Sequence, residues 1–224
     1  LFLNAMGDIH NAGIWSHWLL SFTGDAIQQI DCSDGAEFQC HEVSTSKTAG
    51  HLATTCGVNF RDCFIDLNGC ELYISAIATL QVSGNHLRNA VIRGDSSYLC
   101  LKNGAYLQDV AAENMILKGA VQVANNSNQF NGSLVVEDTL RNYGSSHHVS
   151  INGNLINRGH ILNGSSNLTL YISGNIDHTG TWNTYSTNMV GPGTRDISFG
   201  TNTTLQSYYF TVDGPDRIIA ASDL

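Results

Sequence analysis

The sequence predicts an all-β fold, a right-handed parallel β-helix (β-solenoid) with coils of about 15–21 residues. Three observations predict it: a motif that recurs along the chain, short strand-like runs that end at Gly or Asn, and a composition poor in charge and rich in turn-formers.

The recurring motif is the strongest signal. Gly7-Asp8-Ile9-His10-Asn11-Ala12-Gly13-Ile14-Trp15 returns as Gly174-Asn175-Ile176-Asp177-His178-Thr179-Gly180-Thr181-Trp182, with Gly, Ile, Gly and Trp at the same internal spacing. The same offset takes Gly24 to Gly191 and Ile30 to Ile197. Segments 7–43 and 174–212 therefore read as two copies of one module in a single solenoid domain spanning 1–224, expected to be a fragment or mature subunit of a longer repeat protein. A shorter period lies inside the long one. Gly153-Asn154-Leu155-Ile156-Asn157-Arg158-Gly159 carries the pattern shortly before Gly174. A looser copy, Asp138 to Gly144, precedes Gly153 by a smaller step. Steps of roughly 15–21 residues suit one coil of two or three short strands and their turns.

The strand-like runs agree with this period. Phe64–Gly69, Glu71–Ile74, Ser133–Glu137, Val149–Gly153 and Leu168–Gly174 are short, partly alternating, and rich in β-branched and apolar residues. Segment 105–118 fits strands better than a helix. The middle, 85–137, follows the motif only in style and is expected to hold a sandwich-like irregularity. Within the motif, Gly is expected at corners with positive φ, Asn to bond turn backbone, and Ile or Leu to face the core. Trp15 and Trp182 are expected to cover a coil edge or the end of the core.

Composition narrows the function classes. Charged residues make up 13% of the chain, against about 25% in ordinary domains. Gly is abundant at 22 and Pro scarce at 2, which disfavours helical bundles. A net charge of −9 with 10 Lys and Arg leaves no basic stripe, so neither nucleic acid nor an anionic membrane surface is an expected partner. No run approaches the roughly 20 apolar residues of a membrane-crossing helix, so no membrane insertion is expected. Cys32, Cys40, Cys56, Cys63, Cys70 and Cys100 form an even set without close CxxC pairs. That favours disulfides and an oxidising, extracellular compartment over free buried thiols or zinc, with the pairing open.

The series G-[DN]-[IL]-x-N-x-G-x-W, followed by Phe22-Thr23-Gly24, Ile27 to Ile30 and Phe38 to Val43, resembles repeats of secreted and cell-surface β-helix proteins of Bacteroidetes and related bacteria. The resemblance covers most of 1–80 and 138–224. It implies a right-handed β-helix and an extracellular or cell-surface location. The cysteines depart from that family's pattern, and Cys40 stands where Asn is usual.

Candidate chemistry is sparse. Asp62, Asp66, Glu137 and Asp138 could serve a polysaccharide-degrading enzyme only if neighbouring coils paired them. His147, His148, His160 and His178 offer a metal, but adjacent residues on a strand face opposite ways, so turn roles explain them better. No phosphate loop, nucleophile elbow or cofactor motif occurs, and no cofactor is expected. Sequons at Asn125, Asn131, Asn163, Asn167 and Asn202 are candidate glycosylation sites. Trp182, Tyr185 and Tyr208, with Tyr171 and Tyr209, are candidate glycan contacts, as are Trp15 and Trp18 near the other end. The expectation is a non-enzymatic structural or adhesive protein, such as a surface fibre, filament subunit or adhesin stalk, whose partners are its own copies or surface glycans. A carbohydrate-binding module or a β-helix enzyme is the alternative.

Overall fold

The computed structural model describes residues 1–201, 203–213 and 218–220. Among them there is no helix, and every strand pairing is parallel. The chain winds as a β-solenoid of roughly ten coils, each stacked on the one before.

The core consists of columns of residues at equivalent places in successive coils. Leu20, Val43, Ile65, Leu87 and Leu107 form one column. Leu52, Leu72, Ile92, Ala112, Phe130, Ile151, Ile172 and Met189 form a second. Leu134, Leu155, Ile176 and Ile197 belong to a third. All of them fall in one continuous buried cluster. Parallel strands lie about 4.8 Å apart, so each side chain rests on its counterpart. Full burial of each Leu or Ile stabilises the stack by about 1.5–3 kcal/mol.

The coils are about 21 residues long, and Leu134, Leu155, Ile176 and Ile197 stack at that period. Elsewhere the period varies: Ile172 rests on Met189, a shorter step, and Gln28 on Leu52, a longer one. The short step expected from Asp138 to Gly153 is not a coil. Val136 pairs with Asn157 and Leu140 with Ile161, so Asp138 belongs beneath Gly159. The loose sequence match arises because the Leu-x-Asn of one face resembles the Leu-x-Asn of another.

The middle of the chain is solenoid, not sandwich. His86–Lys102 and Tyr106–Val123 are strands of 17 and 18 residues. The first of them pairs in turn with Phe64–Asp66, Glu71–Ile74 and Thr79–Ser83, so it crosses all three faces of the coil. Corners fall at Asn89, Ser96, Asp109 and Asn114, whose φ values are 47°, 56°, 55° and 52°. Asn and Asp tolerate this left-handed region better than other side chains, so the corners need no glycine and the Gly-based motif disappears.

The motif glycines divide into three kinds. Gly24 and Gly191 turn corners at φ 87° and 85°, as expected. Gly153, Gly159, Gly174 and Gly180 do not adopt positive φ; a Cβ at any of them would collide with the backbone of the coil beneath. At Gly180 it would lie 2.8 Å from the Arg158 carbonyl carbon and 2.9 Å from that of Gly159. Gly7 and Gly13, their counterparts in the first coil, have nothing within 4 Å of such an atom.

The motif Asn is a buried link between coils. Asn11 Nδ2 donates to Glu37 O at 3.0 Å, and its Oδ1 accepts from Gly13 N. Asn157 Nδ2 donates to Thr181 O at 3.0 Å. His178 holds the same place in the final copy, fully buried, with Nε2 3.2 Å from Thr204 O and Nδ1 3.1 Å from Asn157 Nδ2. These bonds fit a neutral ring protonated on Nε2.

Candidate functional site

The exterior face carried by Thr139–Asn142, His160–Leu162, Thr181–Met189 and Leu205–Val212 holds the most concentrated exposed aromatic chemistry among the described residues. Arg141, Leu162, Asn183 and Gln206 are stacked in register on it. They alternate with Leu140, Ile161 and Trp182, which point into the core. Strand alternation therefore places Tyr143 and Tyr185 outward on the same face.

Three tyrosines cluster there. Tyr185 and Tyr208 stack with centroids 5.8 Å apart and planes 6° off parallel. Tyr209 meets both edge-on, at 5.4 Å from Tyr185 and 4.6 Å from Tyr208. Tyr208 is 75% exposed. Its neighbours, Tyr209 first, raise the phenol of Tyr185 above its ordinary range, so it stays neutral and can both donate and accept. Beside them runs an open groove lined by Asn163, Asn183, Thr184, Gln206 and Ser207. Aromatic faces and carboxamides together suit a ligand with an apolar face and many hydroxyls.

The remaining expected aromatics are elsewhere. Trp182 is only 1% exposed and cannot touch a glycan. It lies between Ile161 and Leu205, and its Nε1 donates to Thr184 Oγ1 at 3.2 Å and Thr187 Oγ1 at 3.3 Å. The indole faces inward because Thr181 and Asn183, on either side of it, face out. It fills the core within the stack and covers no edge. Tyr171 stands apart, against His148 at 5.5 Å. Trp15 packs on Phe38, and exposed Trp18 stacks on His41 at 4.1 Å.

The polar candidates are engaged singly. Asp62 is exposed beside Arg61. Asp66 bonds Arg88, Asn89 and the Asn68 N–H; burial works against its charge, but these bonds outweigh it and hold the carboxyl below its ordinary range. Glu137 pairs with Lys118 at 3.5 Å, and Asp138 accepts from Gly119 N at 2.9 Å. No two of these four carboxylates share a partner among the described residues. Nor do any three His, Cys, Asp or Glu among those residues converge on a metal position.

All six cysteines carry free thiols. Cys32, Cys40, Cys63 and Cys100 are buried, Cys70 half-buried and Cys56 exposed. Cys40 and Cys63 touch: Cys40 N donates to Cys63 Sγ at 3.0 Å, and the Cys63 thiol lies 3.1 Å from Phe38 O. Of the sequons, Asn167 is exposed. Asn125 is tied by its Nδ2 to Asp109 Oδ1 at 2.6 Å. Asn131 and Asn163 are half-buried. Asn202 lies outside the described residues.

Two features escape sequence reasoning. Phe64, His86, Tyr106 and Tyr143 form an aromatic ladder with centroids 4.1, 4.8 and 4.4 Å apart, its last step passing over the coil of Ala120–Val123. Arg141 lines a groove beside its last rung. The unequal sequence steps between the rungs hide the ladder from any fixed-period search. No family model, no curated protein and no solved structure matches the chain.

Proposed function

We propose that this chain is a non-enzymatic, extracellular β-solenoid with an adhesive role, and that it holds glycans on the Tyr185–Tyr208–Tyr209 face. The observation that carries this reading is the tyrosine cluster beside a groove rich in carboxamides and hydroxyls. The C–H face of a pyranose packs on an aromatic ring, while Asn and Gln donate to and accept from its hydroxyls. A rigid rod of stacked coils suits presentation of such a face at a distance. The resemblance to bacterial surface repeats supports the extracellular location.

The test is glycan-array and calorimetric binding with the double variant Tyr185→Ala, Tyr208→Ala. Both side chains are exposed, so the far-ultraviolet circular dichroism should not change. Loss of binding by about tenfold or more, with the fold intact, is expected. A wild-type protein that binds no glycan, or a variant that binds as well, defeats the proposal.

A second reading is end-to-end assembly of copies into a filament. It is supported by the recurrence of one module at 7–43 and 174–212, since coils of like sequence offer one another the surface on which neighbouring coils already stack. Sedimentation showing monomer at high concentration would remove it.

A further inference from the structure

We infer that Arg141 forms an anion subsite, so that the glycan held on this face is an acidic one bearing uronate carboxylates. The inference rests on the glycan-binding reading and specifies its substrate class. Arg141 stands out among the described arginines. Arg61, Arg88 and Arg93 each pair with a carboxylate, and Arg195 is bonded to the carbonyls of Ser173 and Val190. Arg158 is exposed to water. Arg141 has no ion pair or hydrogen bond from its side chain to any described residue, and its Nε is buried without a partner. Its two terminal nitrogens are not buried and are likewise unpartnered, so they are the donors an incoming anion can reach.

The surroundings fit an anionic sugar. Arg141 lines an open groove with Gln122, Asn142, Tyr143 and Ser165, and no Asp or Glu lines it. In a chain of net charge −9, a groove with a free guanidinium and no carboxylate is a local reversal of sign. Its walls are fixed: Asn142 Nδ2 donates to Ser145 O at 2.7 Å, and Ser165 Oγ to Gly144 O at 2.7 Å. Tyr143, 44% exposed and stacked on Tyr106 at 4.4 Å, offers a ring for a sugar face. The guanidinium fork matches a carboxylate in a bidentate pair.

This groove and the one beside the tyrosine cluster lie on the same face. Arg141 is in register with Leu162 and then Asn183, two coils up, which is about 10 Å along the axis. Between them stand the half-buried Leu162, an apolar side chain on the path, and exposed Gly164, which carries none. One oligosaccharide can therefore lie on Tyr143, present a carboxylate to Arg141 and reach Tyr185.

The test uses matched probes: oligogalacturonate, oligomannuronate and hyaluronan oligosaccharides, each against its carboxyl-reduced counterpart, with wild type and Arg141→Gln. Wild type is expected to prefer at least one acidic probe over its neutral twin by about tenfold, less at high salt. Arg141→Gln should lose that preference, with binding of the acidic probe falling at least about tenfold more than that of its neutral twin. Tyr143→Leu should weaken both. Neutral binding without acidic preference, or a preference that survives Arg141→Gln, overturns the inference and leaves the glycan reading standing. Binding of no probe overturns both.

Discussion

Gly13 and Gly180 occupy the same position in the first and last copies of the motif, yet alanine should act on them differently. At Gly180 the new methyl meets only backbone, with Arg158 C at 2.8 Å and Gly159 C at 2.9 Å. Carbon atoms prefer separations of about 3.5–4.0 Å and the Gly159 carbonyl oxygen lies closer still, so the two coils must part by at least about 0.7–1 Å locally. They cannot part freely, because Gly159 rests in the same way on Asp138. A gap of that size forfeits a quarter to a half of each dispersion contact it opens, and overpacking of this kind costs about 1–3 kcal/mol. At Gly13 there is nothing within 4 Å and no positive φ. Gly13→Ala should be neutral, or stabilising by up to about 1 kcal/mol through the unfolded chain. The assay is urea denaturation of residues 1–224 carrying each change. Gly180→Ala should lower the midpoint clearly, and Gly13→Ala should not. Equal midpoints, or the reverse order, would refute close coil stacking as the reason for the motif glycine.

Three further outcomes follow from the same structure. Trp182→Ala should cost about 3–5 kcal/mol through its buried cavity; full stability with lost glycan binding would instead place the indole at the surface. Refolding in a glutathione redox buffer should link Cys40 to Cys63, since the Cys63 sulfur lies 3.0 Å from the backbone nitrogen of Cys40 and both side chains are buried side by side; peptide mapping that finds another pair, or six free thiols, contradicts this. Burial depresses the His178 pKa, so the unfolded chain binds more protons near and below about pH 6.5. The stability it contributes is complete above that pH and is lost as pH falls through the folded pKa. His178→Asn, which restores the residue found at 11 and 157, should flatten this part of the pH profile, measured by urea midpoints from neutral to mildly acidic pH. An unchanged profile would deny the ring its buried, neutral state.

The glycan face is partly legible in the sequence. Tyr185 and Tyr208 are readable as candidate contacts, the latter because its strand carries the aromatic run Tyr208-Tyr209-Phe210. Trp182 misleads, because a lone Trp between polar neighbours reads equally well as a surface platform or as a core residue between two outward ones. Arg141 and Tyr143 carry no sequence signal at all. Their meaning lies in what is absent around them, and only the neighbouring coils define that.

The sequence by itself determined that the chain coils. The return of Gly, an aliphatic residue and Gly from the segment at Gly153 to the segment at Gly174 is a direct image of stacking, since each coil offers its neighbour the same surface. The tertiary structure alone decided the register elsewhere, where shorter and longer coils interrupt the common period and Asn and Asp close corners instead of glycine. It also decided which residues share a face. The reason is geometric: strand alternation gives inside or outside within a coil, but neighbours across coils depend on the length of every turn between them, and those lengths follow no fixed period here.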